Sequence, residues 1–327
     1  MLFENLDLTP IHLILWTGLH LNGPGRPVEY DPEWDLRALM LRQLLQIPYV
    51  KDLVKRLRRS PYLRGVCGYG DKAPTEAHFS QMKKRIGAEG FRLIEAWLRR
   101  EAMRLRQSQP LAAVGLVQAA CLDGTDFPAW SSRDPHETSR GFGDPDARVG
   151  HGKKGFILGY WSLFLVDLEG FPLGHVEASA NVNEKSMVEP LLDRVLGEDL
   201  EVELVAGDSQ LESQAVFDIL QARKIGSLIA WRRMPGRVNP QDVLTVKDRI
   251  DVEGPEYKRI PYKRLRAAVE GFNGQVRSRL AYGRYTWQGL GNASIHVSLI
   301  LSVVYAVAIA ACRIGRPELR RSIAYFA

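Results

Sequence analysis

Apolar residues recur at helical spacing through the first third of the chain, and proline and glycine interrupt them. The run WDLRALMLRQLLQI follows Asp31 and Pro32, a capping residue and a residue whose ring fixes the first turn. Further helices are predicted for VKDLVKRLRRS, for the segment after the capping residue Thr75, and for FRLIEAWLRREAMRLRQ. Residues 29–106 are therefore predicted to be helical. Short basic helices joined by tight turns are typical of helix-turn-helix DNA-binding bundles, and a plain bundle with a solvated basic face has the same pattern.

The pattern then changes to short continuous apolar runs. Strands are predicted for LAAVGLVQAACLDGT, for both halves of FILGYWSLFLVDLEGFPLGHVEAS, for LEVELVAGD and for SLIAWRR, with helices in NEKSMVEPLLDRVLGE and SQAVFDILQARK. A loop is predicted at 131–155, a short insertion at about 234–261, and a helix at 263–277 before a long apolar helix. This order predicts an α/β domain with a mixed sheet over 111–327, preceded by a helical DNA-binding domain over 1–110.

Charge is distributed unevenly along the chain. Residues 1–110 carry 18 Lys and Arg against 12 Asp and Glu, residues 111–257 carry 14 against 24, and residues 258–327 carry 12 against 2. An acidic middle between basic ends favours a protein that binds divalent cations centrally and phosphates at its rim. Two solvated basic faces are the alternative explanation.

The cysteines and histidines are scattered without metal-ligand spacing, which argues against a zinc site and favours a reducing compartment. The N-terminal MLFENLDLTP lacks the basic segment of a signal peptide, so a cytoplasmic location is expected. Ala293 to Cys312 is long enough to span a membrane. It contains His296 and two serines, so a buried helix packed on a sheet is predicted there, and no membrane partner.

Three carboxylates stand in positions that suit a metal site for phosphoryl transfer. Asp123 and Asp208 each follow an apolar run, and Glu270 lies in the basic helix YKRLRAAVEGFNGQVRSRL. Three such acids can hold two divalent cations about 4 Å apart. Asp126 is a rival to Asp123, but residues an odd number apart face opposite sides of a strand. Asp208 as a helix cap, and Glu270 as a partner of Arg266 four residues earlier, are the structural alternatives.

In these segments the chain resembles the DDE transposases of bacterial insertion sequences. VKDLVKRLRRSPYLRGVCGYGDKAPTEAHFSQMKKRIG resembles their InsH-type N-terminal domain, and GYWSLFLVDLEGFPLGHVEASANVNEKSMVEPLLDRV resembles part of the Transposase_11-type catalytic domain. LDGTDF and VAGDSQLES match the segments of the first two catalytic acids. In the third motif, Arg266 precedes Glu270 by four residues and Arg277 follows it by seven, while Tyr262 is one residue further from Arg266 than the commonest spacing.

The resemblance implies an RNase H-like catalytic domain in which Asp123, Asp208 and Glu270 are catalytic and bind Mg²⁺, for which Mn²⁺ can substitute. It implies cleavage at transposon DNA ends, followed by transfer of the freed 3′-OH into target DNA. The expected partner is double-stranded DNA, bound by a homodimer in the bacterial nucleoid.

Candidate DNA contacts are basic and aromatic residues on or near the elements of the predicted site: Tyr262, Lys263, Arg266, Arg277, Arg279, Arg284, Trp231, Arg232 and Arg233. The positions 266, 270 and 277 share roughly one face of the predicted helix, where arginines can grip phosphates beside the scissile bond. Pairing of these arginines with the acidic middle is the alternative. Trp231 suits stacking on an unpaired base and burial in the core equally well.

Two other functions stay open. One is a domesticated transposase that binds DNA without cutting it, and the other is a different RNase H-like nuclease, such as a junction resolvase. The presence of all three acids argues against the first. The basic helix around Glu270 and the helical N-terminal segment argue against the second.

Overall fold

The structure, a computed structural model, describes residues 2–20, 29–107, 116–131, 143–152, 155–198, 200–230, 249–250, 256–280 and 286–327. The chain divides into two compact units, which we call the helical unit (residues 1–114 and 276–327) and the sheet unit (residues 115–275). The sequence predicted domains over residues 1–110 and 111–327, and the grouping of residues 276–327 with the N-terminal helices was not predicted.

Within the described residues, the α-helices in chain order are α1 (His12–His20), α2 (Pro32–Leu44), α3 (Val50–Arg59), α4 (Pro61–Cys67), α5 (Glu76–Gln107), α6 (Lys185–Leu196), α7 (Gln214–Ala222), α8 (Glu256–Gln275), α9 (Leu290–Arg313) and α10 (Ile323–Phe326). Short 3-10 turns lie at Phe3–Asn5, Thr9–Ile11 and Pro317–Leu319, and a π-helical turn lies at Val276–Leu280.

The helices of the helical unit begin and bend where local chemistry favours it. The Asp31 side chain accepts a hydrogen bond of 2.9 Å from the Glu33 N–H at the start of α2, and Thr75 Oγ1 accepts one of 3.2 Å from the His78 N–H in the first turn of α5. Both caps were predicted and are confirmed. Gly87, with φ of 67°, bends α5 at the point where two separate helices had been predicted.

Helix α9 forms the centre of the helical unit. Its residues from Ile295 to Ala311 are buried, and α9 packs mainly against α5 and α2. By length and composition it could cross a membrane, but nearly all of it is buried within the protein. The burial was expected from the sequence. The partner differs from expectation, because α9 packs on helices rather than on a sheet.

The strands are β1 (Leu116–Val117), β2 (Ala120–Pro128), β3 (Arg148–Gly152), β4 (Gly155–Asp167), β5 (Pro172–Ser179), β6 (Glu201–Val202), β7 (Leu204–Gly207), β8 (Gly226–Ala230) and β9 (Arg249–Ile250). The main sheet has the order β3-β4-β2-β7-β8-β9, with β5 paired to β4. Strands β2 to β5 pair antiparallel, and β2, β7, β8 and β9 pair parallel. The predicted α/β class with a mixed sheet between helices is confirmed.

Strand β3 lies in a segment that had been predicted to be loop. It is a short edge strand of sequence RVGHG, and such a strand need not alternate apolar and polar residues. A Cβ atom at Gly150 would lie 1.8 Å from the Ala180 carbonyl oxygen, so only glycine allows this approach. The helix predicted at 263–277 begins earlier, at Glu256, and its α-helical part ends at Gln275. Most of the predicted insertion at 234–261 lies outside the described residues.

Candidate functional site

Two of the predicted acids lie side by side at one edge of the sheet. Strands β2 and β7 are parallel neighbours, and their last paired residues are Leu122 and Gly207. Asp123 and Asp208 each follow directly after this pair. Adjacent parallel strands lie about 4.8 Å apart, so the register alone brings the two carboxylates to one place.

Helix α8 covers this edge because one of its faces is apolar. Leu265, Val269 and Phe272 are fully buried and recur at helical spacing. Phe272 meets Phe164 of β4 edge to face, with 5.3 Å between ring centroids, and Phe164 pairs with Asp123 across the sheet. This packing places the next face of α8 over Asp123 of β2.

That next face carries a polar row at helical spacing, made of Arg266, Glu270 and Asn273. Asn273 is buried, and its Nδ2 donates a hydrogen bond of 2.6 Å to Asp123 Oδ2. Arg266 donates from one guanidinium nitrogen to Asp123 Oδ1 at 3.2 Å and from another to Glu270 Oε1 at 2.9 Å. We call Asp123, Asp208 and Glu270, together with Arg266 and Asn273, the acidic site.

Arg266 is the electrostatic centre of the acidic site. Its side chain is 16% exposed, that of Asp123 is 5% exposed and that of Glu270 is 59% exposed. Burial by itself lowers the pKa of Arg266, but the negative charge of Asp123, followed by the smaller effects of Cys121 and Asp208, raises that pKa above the ordinary arginine value. The guanidinium therefore stays charged and links an acid on β2 to an acid on α8.

The charges of the acidic site also affect the pKa values of two neighbouring side chains, Tyr262 and Cys121. Burial raises the pKa of Tyr262 to about 12; Arg266 opposes this shift, and Asp208 and Glu270 add to it. Burial also raises the pKa of the Cys121 thiol to about 12, against the effect of Arg266. Tyr262 was predicted for this region, whereas Cys121 was not.

The rival acid Asp126 points away from the acidic site. It lies three residues after Asp123 on β2, and a Cβ atom at Gly152 of β3 would lie 2.5 Å from Asp126 Oδ2. On the same opposite face, a Cβ atom at Gly124 would lie 2.1 Å from Glu184 Oε1. The expected alternation along β2 is therefore confirmed.

The other sequence-predicted residues are placed differently. Lys263 is exposed on α8. Arg277 and Arg279 lie in the π-helical turn that belongs to the helical unit, so the single α-helical face predicted to carry Arg266, Glu270 and Arg277 is interrupted after Gln275. Trp231, Arg232, Arg233 and Arg284 lie outside the described residues.

A divalent cation suits the acidic site by donor chemistry, because carboxylate oxygens are the ligands that Mg²⁺ prefers. Two of the three carboxylates, Asp123 and Glu270, contact Arg266. Across the part of the chain that the structure describes, no group of three or more His, Cys, Asp or Glu side chains is arranged to hold a metal ion. Asp123 and Glu270 thus have a cationic partner in the arginine.

Asn273 is the contact that sequence reasoning missed. It lies seven residues after Arg266 and three after Glu270, so helical spacing alone places it in the same row. An uncharged amide in the middle of a basic helix gives no sequence signal for a functional site. Its proximity to Asp123, 150 residues earlier in the chain, follows only from the packing of α8 on β2.

Residues 3–85, about a quarter of the chain, match the family model described as Transposase domain (DUF772). This match supports a transposase family and suggests a DNA-processing enzyme. It lies in the helical unit and includes none of the residues of the acidic site. The comparisons with curated proteins and with solved structures gave no match.

Proposed function

We propose that the chain is a DDE transposase of an insertion sequence, which cleaves the DNA ends of its element and joins the freed 3′-OH to target DNA. One observation carries the proposal: Asp123 of β2 and Glu270 of α8 bind the same guanidinium of Arg266, and the parallel register of β2 and β7 places Asp208 beside Asp123. The transposase match in the helical unit supports it independently.

The strand order also supports an RNase H-like catalytic unit. Three antiparallel strands in the order β5-β4-β2 are extended by the parallel strands β7 and β8, and α8 packs on the central strand β2. The sheet positions Asp123, where the parallel pairing of β2 with β7 ends, and Asp208, which follows directly after β7. The expected substrate is double-stranded DNA, and two DNA ends call for a homodimer.

The residues of the acidic site have separate roles in this proposal. Asp123 is held by Arg266 and by Asn273 and is therefore the fixed ligand. Glu270 is largely exposed and has room to change its rotamer. The guanidinium of Arg266 suits the phosphate beside the scissile bond, because planar donors match phosphate oxygens.

Asp123, Asp208 and Glu270 would hold Mg²⁺ or Mn²⁺, which activates the attacking oxygen and stabilises the leaving one when bound. Arg266 neutralises Asp123 and Glu270 in the arrangement described. Release of Glu270 from Arg266 would free one carboxylate for the cation while Asn273 keeps Asp123 in place.

The test is an Asp208→Ala variant in a plasmid assay in which the gene's own flanking DNA supplies the element ends. Cleavage and strand transfer should be lost, while binding to the same ends stays near wild type, since affinity comes mainly from phosphate contacts elsewhere. Asp218→Ala, an exposed acid on α7, is the matched control and should keep full activity.

Metal binding gives a readout that does not depend on activity. Mn²⁺ titration followed by electron paramagnetic resonance should show a bound signal in wild type and in Asp218→Ala, and a weaker one in Asp208→Ala. Wild-type cleavage rates in Asp208→Ala would refute the assignment of the acid.

A second candidate function is a DNA-binding derivative that does not cut. The observation in its favour is that Arg266 pairs with two of the three acids. Wild-type protein that binds its own element ends but neither cleaves them nor takes up Mn²⁺ would select this candidate. Specific cleavage of branched DNA without strand transfer would instead select another RNase H-like nuclease, such as a junction resolvase.

A further inference from the structure

A basic groove of about 540 Å³ lies in the helical unit, between α3 and the start of α5. Four cations line it, and they face three residues at the start of α5. The lining consists of Lys51, Val54, Lys55, Arg58, Arg59, Thr75, Glu76 and Ala77. We call this lining the basic groove. It lies wholly within the segment that matches the transposase domain.

The groove exists because α3 divides its residues sharply between two faces. Leu53, Val54 and Leu57 are buried against the rest of the helical unit. The four cations Lys51, Lys55, Arg58 and Arg59 are all exposed. They recur at intervals of four, three and one residues, so they form one stripe along the helix. Eight residues of helix place them over about 12 Å at 1.5 Å per residue.

These cations are not neutralised by neighbouring acids. Within the described residues, no ion pair involves any of the four, and Lys51 lies 5.1 Å from the ring centre of Tyr49. Glu76 is the acid in the groove lining, against four cations. At the start of α5, backbone N–H groups add partial positive charge beside the stripe. The groove therefore offers a net positive surface, with four cations against one acid.

We propose that the basic groove binds the phosphodiester backbone of duplex DNA, an inference that rests on the proposed transposase function and adds a DNA-contact site to it. A stripe of about 12 Å spans three to four phosphates of one strand, which are spaced about 3.4 Å apart along the helix axis. The lining contains only two apolar side chains, Val54 and Ala77, so it lacks an anchor pocket for a peptide.

The composition of the lining favours duplex over single-stranded nucleic acid as the ligand. Proteins that hold single strands stack bases on aromatic side chains, and the lining contains no aromatic residue. Backbone contacts from lysine, arginine and a helix N-terminus fix position without reading sequence. The groove therefore contributes affinity and register rather than recognition of the element's ends.

The test is the fourfold variant Lys51→Gln, Lys55→Gln, Arg58→Gln and Arg59→Gln in the full chain. Binding to a fluorescein-labelled duplex of mixed sequence is followed by anisotropy over a range of salt. With about 0.9 counterions released per phosphate contact, the salt slope should fall by 3 to 4 units, and affinity at moderate salt should fall at least roughly tenfold. Unchanged circular dichroism and melting temperature show that the variant is folded.

A charge-matched control removes four exposed cations of the helical unit that do not line the groove: Lys84, Arg85, Arg316 and Arg321, each to Gln. This control should keep most of the slope. A second variant, Lys51→Arg with Lys55→Arg, retains the charge and should bind as wild type does. Equal losses in the groove variant and the charge-matched control would overturn the inference, as would tighter binding of wild type to double-stranded RNA than to DNA.

The failure of the groove and that of the proposed function are distinguishable. If the groove variant binds duplex DNA as wild type does, with an unchanged salt slope, the groove is not a DNA contact and the transposase proposal stays intact. If the groove variant loses binding and the wild type does not cleave the element, the groove is a DNA contact and the DDE assignment is refuted. A wild-type chain that does not bind duplex DNA at low salt removes both.

Discussion

Arginine has opposite surroundings in the acidic site and in the basic groove. Arg266 is mostly buried and bound to Asp123 and Glu270, so its position is fixed and its charge is cancelled locally. Arg58 and Arg59 are exposed and have no carboxylate partner within the described residues. A paired cation organises its neighbours, whereas unpaired cations remain available to an outside polyanion. On the proposed function, the comparison assigns catalysis to the sheet unit and DNA affinity to the helical unit.

Neutralising one acid on β2 should separate cleavage from DNA binding most clearly. Asp123→Asn should lower cleavage on the order of a thousandfold, because a preorganised charge is removed from the acidic site. Duplex affinity should stay within roughly a factor of two, since phosphate contacts lie elsewhere. The measurements are element cleavage and anisotropy at one salt concentration.

Asp126→Asn is the control on the same strand, because Asp126 faces the other side of β2. It should retain nearly full cleavage. If both variants lost cleavage equally, the cause would be disruption of β2 and not the loss of a carboxylate from the acidic site.

The acidic site depends on the core packing of α8 against the sheet. Phe272→Ala should lower the free energy of unfolding by about 3 to 5 kcal/mol, since Phe272 is fully buried and its ring packs edge to face on Phe164. Urea unfolding of the full chain measures this change.

Phe156→Ala is the matched control, with a side chain that is 81% exposed, and should change stability by less than about 0.5 kcal/mol. A loss below about 1 kcal/mol for Phe272→Ala would mean that α8 is not held to the sheet by this contact.

Lys83 is a cation of the helical unit that lies in the interior rather than in the basic groove. It is 6% exposed, its Nζ lies 3.4 Å from the ring centre of Trp287, and Arg42 lies over the same ring at 4.5 Å. Burial, with repulsion from Arg42, lowers the pKa of Lys83 to about 7. His296 packs against the same indole, and burial lowers its pKa well below the ordinary value.

The consequence is a pH dependence of stability with a definite sign. Between about pH 7 and 10.5, the unfolded chain holds the Lys83 proton more often than the folded chain, so stability rises with pH through that window. Lys83→Met should stabilise the protein by roughly 2 kcal/mol at neutral pH, because it removes a buried charge that the indole only partly compensates.

Thermal unfolding at pH 7 and pH 9 tests this prediction. The advantage of Lys83→Met should shrink at the higher pH, where the wild-type lysine is largely neutral in the folded state. Lys84→Met, at the exposed neighbouring position, should show no such trend. A constant difference at both pH values would contradict the linkage.

The smallest effect compares two arginines close together in the helical unit. Arg58→Gln should reduce the salt slope of duplex binding by about one unit, as the loss of one phosphate contact does. Arg64→Gln should leave the slope unchanged, because its guanidinium already donates to the carbonyl oxygens of Leu57, Arg58 and Gly70. Equal slopes for both variants would place Arg58 outside the DNA contact.

Local signals in the sequence predicted much of this architecture. The caps Asp31 and Thr75, the hairpin of β4 and β5, and the i, i+4 pair of Arg266 and Glu270 on α8 all depend on residues within a few positions of one another. Strand β3 was missed because an edge strand needs no apolar alternation. The packing of α9 on helices was missed because a helix that is apolar all round does not reveal its partner.

For the acidic site, the sequence indicated the acids but not their counter-ion. Asp123 and Asp208 were found because each follows an apolar run. The pairing of Asp123 with Arg266 joins residues 143 positions apart, and it follows only from the seating of α8 on the sheet. Pairing of Glu270 with Arg266 had been weighed as the structural alternative to a metal ligand, and the structure contains that pair.

Helix α9 also affects how the chain folds during synthesis. Phe91, Ile94 and Leu98 of α5 are buried in the helical unit, which α9 completes, yet the whole sheet unit is translated between α5 and α9. During synthesis the N-terminal helices are therefore made long before α9, and their apolar stripe stays exposed until α9 is translated. Such an exposed apolar surface favours chaperone binding or aggregation. A fragment that ends before α9 would keep that stripe in water permanently, even though it contains the full segment matched to the transposase domain.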